Sequence, residues 1–325
     1  MHAAIATAYG DPVGGIGFAE MPEPPPPGPG EVLVGVEYAP VNPADILLLL
    51  GIYAVKPPLP SVVGNEGVGS VIAVGSGVGN VNVGDRVSLP LSSLVWRERM
   101  VVPSEGLVSL PRSADPKQLA MVRVNPLTAF LLLGEFKSLK AGDWVVQNGA
   151  NSGVGRAVVA VAKKRGLRTI NFVRRLELAP ELKAAGADVV LVEGPDAAAR
   201  IRAAVGSAPV ALGLDGLSGP HTGVLASVLS FGGTLVTYGA MSGLPISLSP
   251  ADLIFKSLTL TSFFVGRPQY QEKLPGLLRE AGDLIATGRL QVPVAATYPL
   301  SQIKDAIAHA MKGGKVLLQI APMKA

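Results

Sequence analysis

At 325 residues the chain exceeds a single core of usual size, and 48% hydrophobic against 16% charged residues excludes a disordered or fibrous protein and predicts two globular domains. Lys and Arg outnumber Asp and Glu by 28 to 24 with no dense basic run, so no nucleic-acid partner is expected; the small surplus fits either ordinary surface or a site for anionic ligands. The absence of cysteine excludes disulfides, thiolate metal ligands and a cysteine nucleophile. With no signal-like start and no apolar run of the roughly 18–20 residues a bilayer needs, a cytoplasmic protein without membrane contacts is expected.

The first third reads as a mostly β module: short apolar runs at Glu31–Tyr38, Gly67–Val74, Asp85–Leu89 and Arg99–Val102 are separated by Gly and Pro. Pro22–Gly30, "PEPPPPGPG", reads as a stiff connector between strands or as a polyproline ligand. From Trp144 the texture becomes alternating strand and helix, which implies parallel strands with helical crossovers. Strands are predicted at Trp144–Gln147, Thr169–Val173, Val189–Val192, Val210–Leu214, Thr234–Tyr238 and Leu258–Val265. The helices between them are predicted at Val154–Lys164, Glu181–Ala185, Ala197–Val205 and Gly223–Leu229, with another at Lys273–Thr287. These elements fit an α/β architecture with a six-stranded, doubly wound parallel sheet. A helix at Gln302–Met311 and a strand at Lys315–Ile320 are expected to return to the first module. The predicted domains are therefore 1–121 with 298–325, and 122–297.

Gln147–Gly155, "QNGANSGVG", lies between a predicted strand and a predicted helix, where a phosphate-binding turn belongs. Gly149, Gly153 and Gly155 allow the backbone to turn tightly and approach a pyrophosphate held by amides at the helix start, with Asn148, Asn151, Ser152 and Val154 completing the turn. At the end of the next strand, where an NAD site places an acid for the ribose hydroxyls, the chain reads Asn171, Phe172, Val173, Arg174, Arg175. A guanidinium there suits a 2′-phosphate, so Arg174, with Arg175 and Asn171, predicts NADPH; two solvated arginines are the plainer reading.

These residues resemble the medium-chain dehydrogenase/reductase superfamily, through "GEVLVGV" at Gly30–Val36, "VNPAD" at Val41–Asp45, "GNEG" at Gly64–Gly67, "VGDRV" at Val83–Val87 and "GDWV" at Gly142–Val145. The resemblance implies a GroES-like first domain and a Rossmann second domain. Zinc alcohol dehydrogenases of that superfamily carry His where this chain has Asn65. The only histidines, His2, His221 and His309, are far apart, so no metal is expected. Among zinc-free members the chain resembles mitochondrial-type 2-enoyl thioester reductases, through "NPLTAF" at Asn125–Phe130, the turn and its helix, "VTYGAM" at Val236–Met241 and "LIFK" at Leu253–Lys256. Quinone oxidoreductases share the scaffold and are less similar in these stretches.

The resemblance implies hydride transfer from NADPH to the β-carbon of a conjugated thioester, on CoA or an acyl carrier. The resulting enolate must be stabilised and protonated, for which a neutral donor such as Tyr is suited. It selects Tyr53, in "GIY" after "NPAD", as proton donor, and places Asn42 and Thr128 near the nicotinamide. By the same resemblance Tyr238, Gly239, Met241, Phe263, Phe264 and Val265 lie against the cofactor and Lys315 reaches its phosphates. Asn65, Trp96, Arg97 and Arg123 would border the substrate. Arg123 replaces a small residue and Phe264 stands where Trp is expected, so small acrylate-type acids remain alternative substrates, as do quinones; a non-catalytic NADPH-responsive binding protein is a further alternative. A homodimer paired through Leu258–Val265 is expected.

Overall fold

The computed structural model describes residues 1–194 and 196–320. It contains two compact units, Met1–Val124 with the segment from Pro268 onward, and Asn125–Arg267.

The first unit opens with β1 (His2–Ala6), β2 (Ile16–Glu20), β3 (Glu31–Val41), the short helix α1 (Pro43–Leu49), β4 (Ser61–Val62), β5 (Val68–Val74), β6 (Arg86–Ser88), β7 (Arg99–Pro103) and α2 (Pro116–Leu119). Val32, Val34 and Val36 of β3 are fully buried and alternate with partly exposed neighbours, the period-two pattern of a strand with one face on a core. Strand β1 pairs antiparallel with β2 and β4. Strand β3 pairs antiparallel with both β5 and β7. The proline-rich segment is an irregular connector from β2 to β3, and Arg99 of β7 clamps it by donating from Nε to Glu23 Oε2 at 2.7 Å.

The second unit holds α3 (Asn125–Glu135), β8 (Trp144–Gln147), α4 (Gly153–Lys164), β9 (Arg168–Val173), α5 (Ala179–Ala185), β10 (Val189–Val192), α6 (Ala197–Val205), β11 (Val210–Asp215), α7 (Pro220–Val228), β12 (Thr234–Thr237), α8 (Pro250–Phe255) and β13 (Thr259–Ser262). Its sheet runs β10-β9-β8-β11-β12-β13, every pair parallel, so the strand order reverses between β8 and β11. That reversal is where doubly wound sheets open a crevice at the carboxyl ends of the strands. Val146, Ile170, Phe172, Leu225, Ala226 and Leu235 bury together on one face, while Ala150, Val159, Val173 and Leu182 form a separate cluster.

The chain then returns to the first unit with α9 (Leu274–Ala286), β14 (Val294–Pro299), α10 (Ile303–Lys312) and β15 (Lys315–Gln319), which pairs antiparallel with β3. The boundary predicted at 298 lies about 30 residues too late. Helix α9 buries Leu274, Leu278, Ala281, Leu284 and Ile285, Gly282 closes on Pro111, and the backbone of Val292 exchanges two hydrogen bonds with the Gln118 amide, so these residues belong to the first unit. Among the described residues no helix is long and apolar enough to cross a membrane.

Candidate active site

The second unit builds a glycine-rich turn at the start of a helix. Helix α4 begins at Gly153, and the N-cap Ser152 accepts a hydrogen bond from Gly155 N at 3.1 Å, which leaves the Gly153 and Val154 amides without an intrahelical acceptor. Gly149 takes a φ of 57°, and a Cβ on Gly155 would lie 2.6 Å from the Ala150 backbone, so both glycines are required by the path of the chain. Gly153 is pressed on the Asn125 side chain, whose buried Nδ2 has no acceptor among the described residues. Asn125 was missed in the sequence: an unsatisfied donor against the first residue of a 12-residue helix is visible only once α3 and α4 are packed together.

Two expected cofactor contacts are displaced. Asn171 is fully buried, and its amide is used by Gln147 Nε2, Thr169 Oγ1 and the Val189 carbonyl. Asn148 is equally buried, donating to Asp215 Oδ1 at 2.8 Å and accepting from Gly216 N at 2.8 Å. Their side chains brace the turn from below and cannot reach a ligand. Arg174 and Arg175, by contrast, are exposed just past β9, and neither makes an ion pair among the described residues.

On the β11–β12 side of the strand-order reversal, Tyr238, Gly239 and Met241 follow β12. The Tyr238 hydroxyl lies over Gly216, and burial, with the charge of Asp215 second, pushes its pKa up. Phe263 and Val265 are buried after β13, Phe264 is half exposed, and Thr128 is buried within α3. Asp215, which the sequence reading passed over, ends β11 and ties these strand ends together.

The first unit carries a second polar cluster. Asn42 caps α1, its backbone N–H donating to Asp45 Oδ2 at 2.7 Å. The Asn42 amide donates to Glu66 Oε1 at 2.8 Å and accepts from Lys315 Nζ at 2.7 Å, while Glu66 Oε2 accepts from Val124 N. Asp45 Oδ1 takes both the backbone and the side-chain N–H of Asn65. Burial pushes Asp45 up to about 7 and raises Glu66, and burial lowers the Lys315 ammonium. Lys315 therefore spends one of its three N–H groups on Asn42, a neighbour not foreseen for it.

Tyr53 stands just beyond α1, its hydroxyl without a hydrogen bond among the described residues. Burial first, and the Asp45 charge second, raise its pKa, which keeps the proton on the phenol. Leu47, Ile52 and Val55, near it in sequence, are exposed. Arg123 is buried, donating to Ser88 Oγ and the Ser88 carbonyl, and burial lowers it to about 10. Arg97 is half buried and donates to the Ser93 carbonyl. Trp96 is displaced from its expected place beside the substrate: it is 0% exposed, packed in the β core with its indole edge on Gly64.

A GroES-like alcohol dehydrogenase domain profile matches residues 28–112, and a profile described as zinc-binding dehydrogenase matches 153–283. The rat mitochondrial enoyl-[acyl-carrier-protein] reductase is 37% identical over 302 residues, covering 90% of this chain and 81% of the relative. The chain belongs to the medium-chain dehydrogenase/reductase superfamily. A structure of an Etr1p/NADP/crotonyl-CoA complex matches with a TM-score of 0.88 at 26% identity over 98% of this chain and 99% of the other. A mycobacterial quinone oxidoreductase matches with a TM-score of 0.83 at 31% identity, over 98% and 100%. As a medium-chain dehydrogenase/reductase the chain is an oxidoreductase, with a GroES-like and a Rossmann part.

The donors present do not fit the zinc of the profile's description. The chain has no cysteine, His2 is engaged with Glu98, His221 with Glu193 and His309 with Tyr298, and no group of three or more metal-ligating side chains assembles among the described residues. The turn residues, in contrast, fit a dinucleotide: Gly155, whose Cβ would strike the Ala150 backbone, Gly149 at positive φ, and an Asn125 amide donor unsatisfied among the described residues frame a helix start.

Proposed function

We propose that this chain reduces the carbon–carbon double bond of an electron-poor substrate with NADPH, foremost a trans-2-enoyl thioester carried on CoA or an acyl carrier. When bound, NADPH supplies the hydride to the β-carbon. Gly149, Asn151, Ser152, Gly153, Val154 and Gly155 hold its pyrophosphate and Arg174 with Arg175 its 2′-phosphate. Tyr238, Gly239, Met241, Phe263, Phe264 and Val265, with Thr128, frame the nicotinamide half. Tyr53 delivers the proton to the α-carbon, and Asn42, fixed between Glu66 and Lys315, orders the polar cluster next to it; Asn65, Arg97 and Arg123 line the substrate side. The observation that carries the reading is the Tyr53 hydroxyl, protonated and without a hydrogen-bond partner among the described residues, in a chain 37% identical to a named enoyl reductase over 90% of its length.

The test is NADPH oxidation against crotonyl thioesters, 2-haloacrylates and 1,4-benzoquinones in parallel, repeated with NADH. Crotonyl thioester turnover with NADPH is expected to lead. Arg174→Ala should raise KM for NADPH about 10–100-fold and leave NADH nearly unchanged, since charge-assisted hydrogen bonds contribute about 1.5–3 kcal/mol. Turnover confined to quinones would favour the second reading, supported by the quinone oxidoreductase likeness. Equal use of NADH would remove the role given to Arg174.

The chain's working form is proposed to be a homodimer. Strand β13 is the last strand of its sheet, and Leu260 on it and Phe231, Ile254 and Phe255 near it are exposed. An unpaired edge with apolar cover is a template for a second copy. Light scattering is expected to give twice the chain mass and Leu260→Lys a monomer; a monomeric parent protein would overturn this. The lack of cysteine suits a reducing compartment such as the cytoplasm, although the curated relatives are named mitochondrial enzymes.

A further inference from the structure

Asp215 is 0% exposed and accepts five hydrogen bonds from three strand ends and one helix. Oδ1 takes Asn148 Nδ2 at 2.8 Å, Leu217 N at 3.1 Å and Ser218 N at 2.9 Å; Oδ2 takes Thr222 Oγ1 at 2.7 Å and Thr237 Oγ1 at 3.3 Å. The donors on Oδ1 are N–H groups that cannot accept, the set an acceptor-only carboxylate requires. All five are neutral, and no Lys, Arg or His forms an ion pair with Asp215 among the described residues. The negative charge is thus fixed in place without being cancelled. It lies where the strand order reverses, at the carboxyl end of β11, with Tyr238 N bonded to the Asp215 carbonyl. Its charge is already felt at Tyr238, whose pKa it helps raise.

We infer that Asp215 is a positioning residue that also acts through its charge, because its buried carboxylate favours the oxidised over the reduced nicotinamide and so promotes hydride donation. The inference rests on the NADPH reading above. The two cofactor forms share their phosphates and ribose, so whatever repulsion Asp215 exerts on those is common to both. They differ in the ring, neutral when reduced and cationic when oxidised, and a fixed anion lowers the energy of the cationic form alone. A pure brace would act on both forms equally, because it shapes the strand ends and not the charge.

The ratio of Kd for NADP⁺ to Kd for NADPH therefore isolates the charge. Asp215→Asn keeps the shape and removes the charge, and is expected to weaken NADP⁺ on the order of tenfold more than NADPH, the scale of a screened interaction between two unit charges near a protein surface. Both constants are read by titration without any acceptor, NADPH by its fluorescence and NADP⁺ by competition. Thr222→Val removes a neutral donor and keeps the charge; both affinities can fall, and their ratio is expected to stay within about twofold. Equal losses for both forms in Asp215→Asn, or a ratio shift in Thr222→Val as large as tenfold, would overturn the inference. The Thr222 variant keeps the test alive where Asp215→Asn does not fold. A parent protein that binds neither nucleotide would instead defeat the NADPH reading itself.

Discussion

Replacing Tyr53 with Phe is expected to lower kcat on a crotonyl thioester by about 10²–10³, within the range a positioned general acid contributes. The Tyr53 hydroxyl has no hydrogen bond among the described residues, so its removal orphans no donor or acceptor, and the ring's packing against the β core is retained. The melting temperature and the Kd for NADPH should therefore stay as they are, and the loss should sit in kcat. Benzoquinone reduction, which needs no proton delivered at a particular carbon, is expected to change little. Steady-state kinetics on both acceptors, with a thermal melt alongside, make the comparison. Full thioester turnover in the variant would end the proton-donor assignment, and equal losses on both acceptors would mean the ring, and not the hydroxyl, matters.

The Rossmann unit was largely legible because its strands are short apolar runs separated by amphipathic helices. The predicted strands Trp144–Gln147 and Val189–Val192 coincide with β8 and β10, and the other four in that unit match to within a few residues. Helix α3 was not legible. Its residues from Asn125 to Leu133 are all buried, and a helix covered on every side shows no 3.6-residue alternation. The assignment of α9 failed for a related reason: its apolar stripe shows that it packs, but the sequence does not say on which unit. At the site, the position of the glycines between a strand and a helix marked the turn, whereas Asn148 and Asn171 misled because an amide close to such a turn reads the same whether it faces a ligand or supports the loop from beneath. Asp215 and Asn125 went unseen because their meaning lies in contacts across the fold, 67 residues apart for Asn148 and Asp215.

Gly155→Ala is the second large effect, and it tests the turn without touching any side chain. The added Cβ would stand 2.6 Å from the Cα, carbonyl carbon and oxygen of Ala150, all backbone, so relief requires moving either the turn or the start of α4. Overpacking of this kind costs about 1–3 kcal/mol, which outweighs the gain of up to about 1 kcal/mol from placing Ala in a helix. The expected result is a lower melting temperature and a Kd for NADPH raised at least tenfold, because the displaced amides are those proposed to meet the pyrophosphate. Gly276→Ala is the matched control: it too lies within a helix, α9, but its Cβ would enter open space, so helix preference acts alone and a small gain in stability is expected with unchanged NADPH affinity. Fluorescence titration of NADPH and a denaturant melt on the pair separate a local clash from a general loss of stability. If Gly155→Ala bound NADPH as the parent does, the close approach of backbone to phosphate at this turn would be wrong, and the assignment of cofactor to α4 would fall with it.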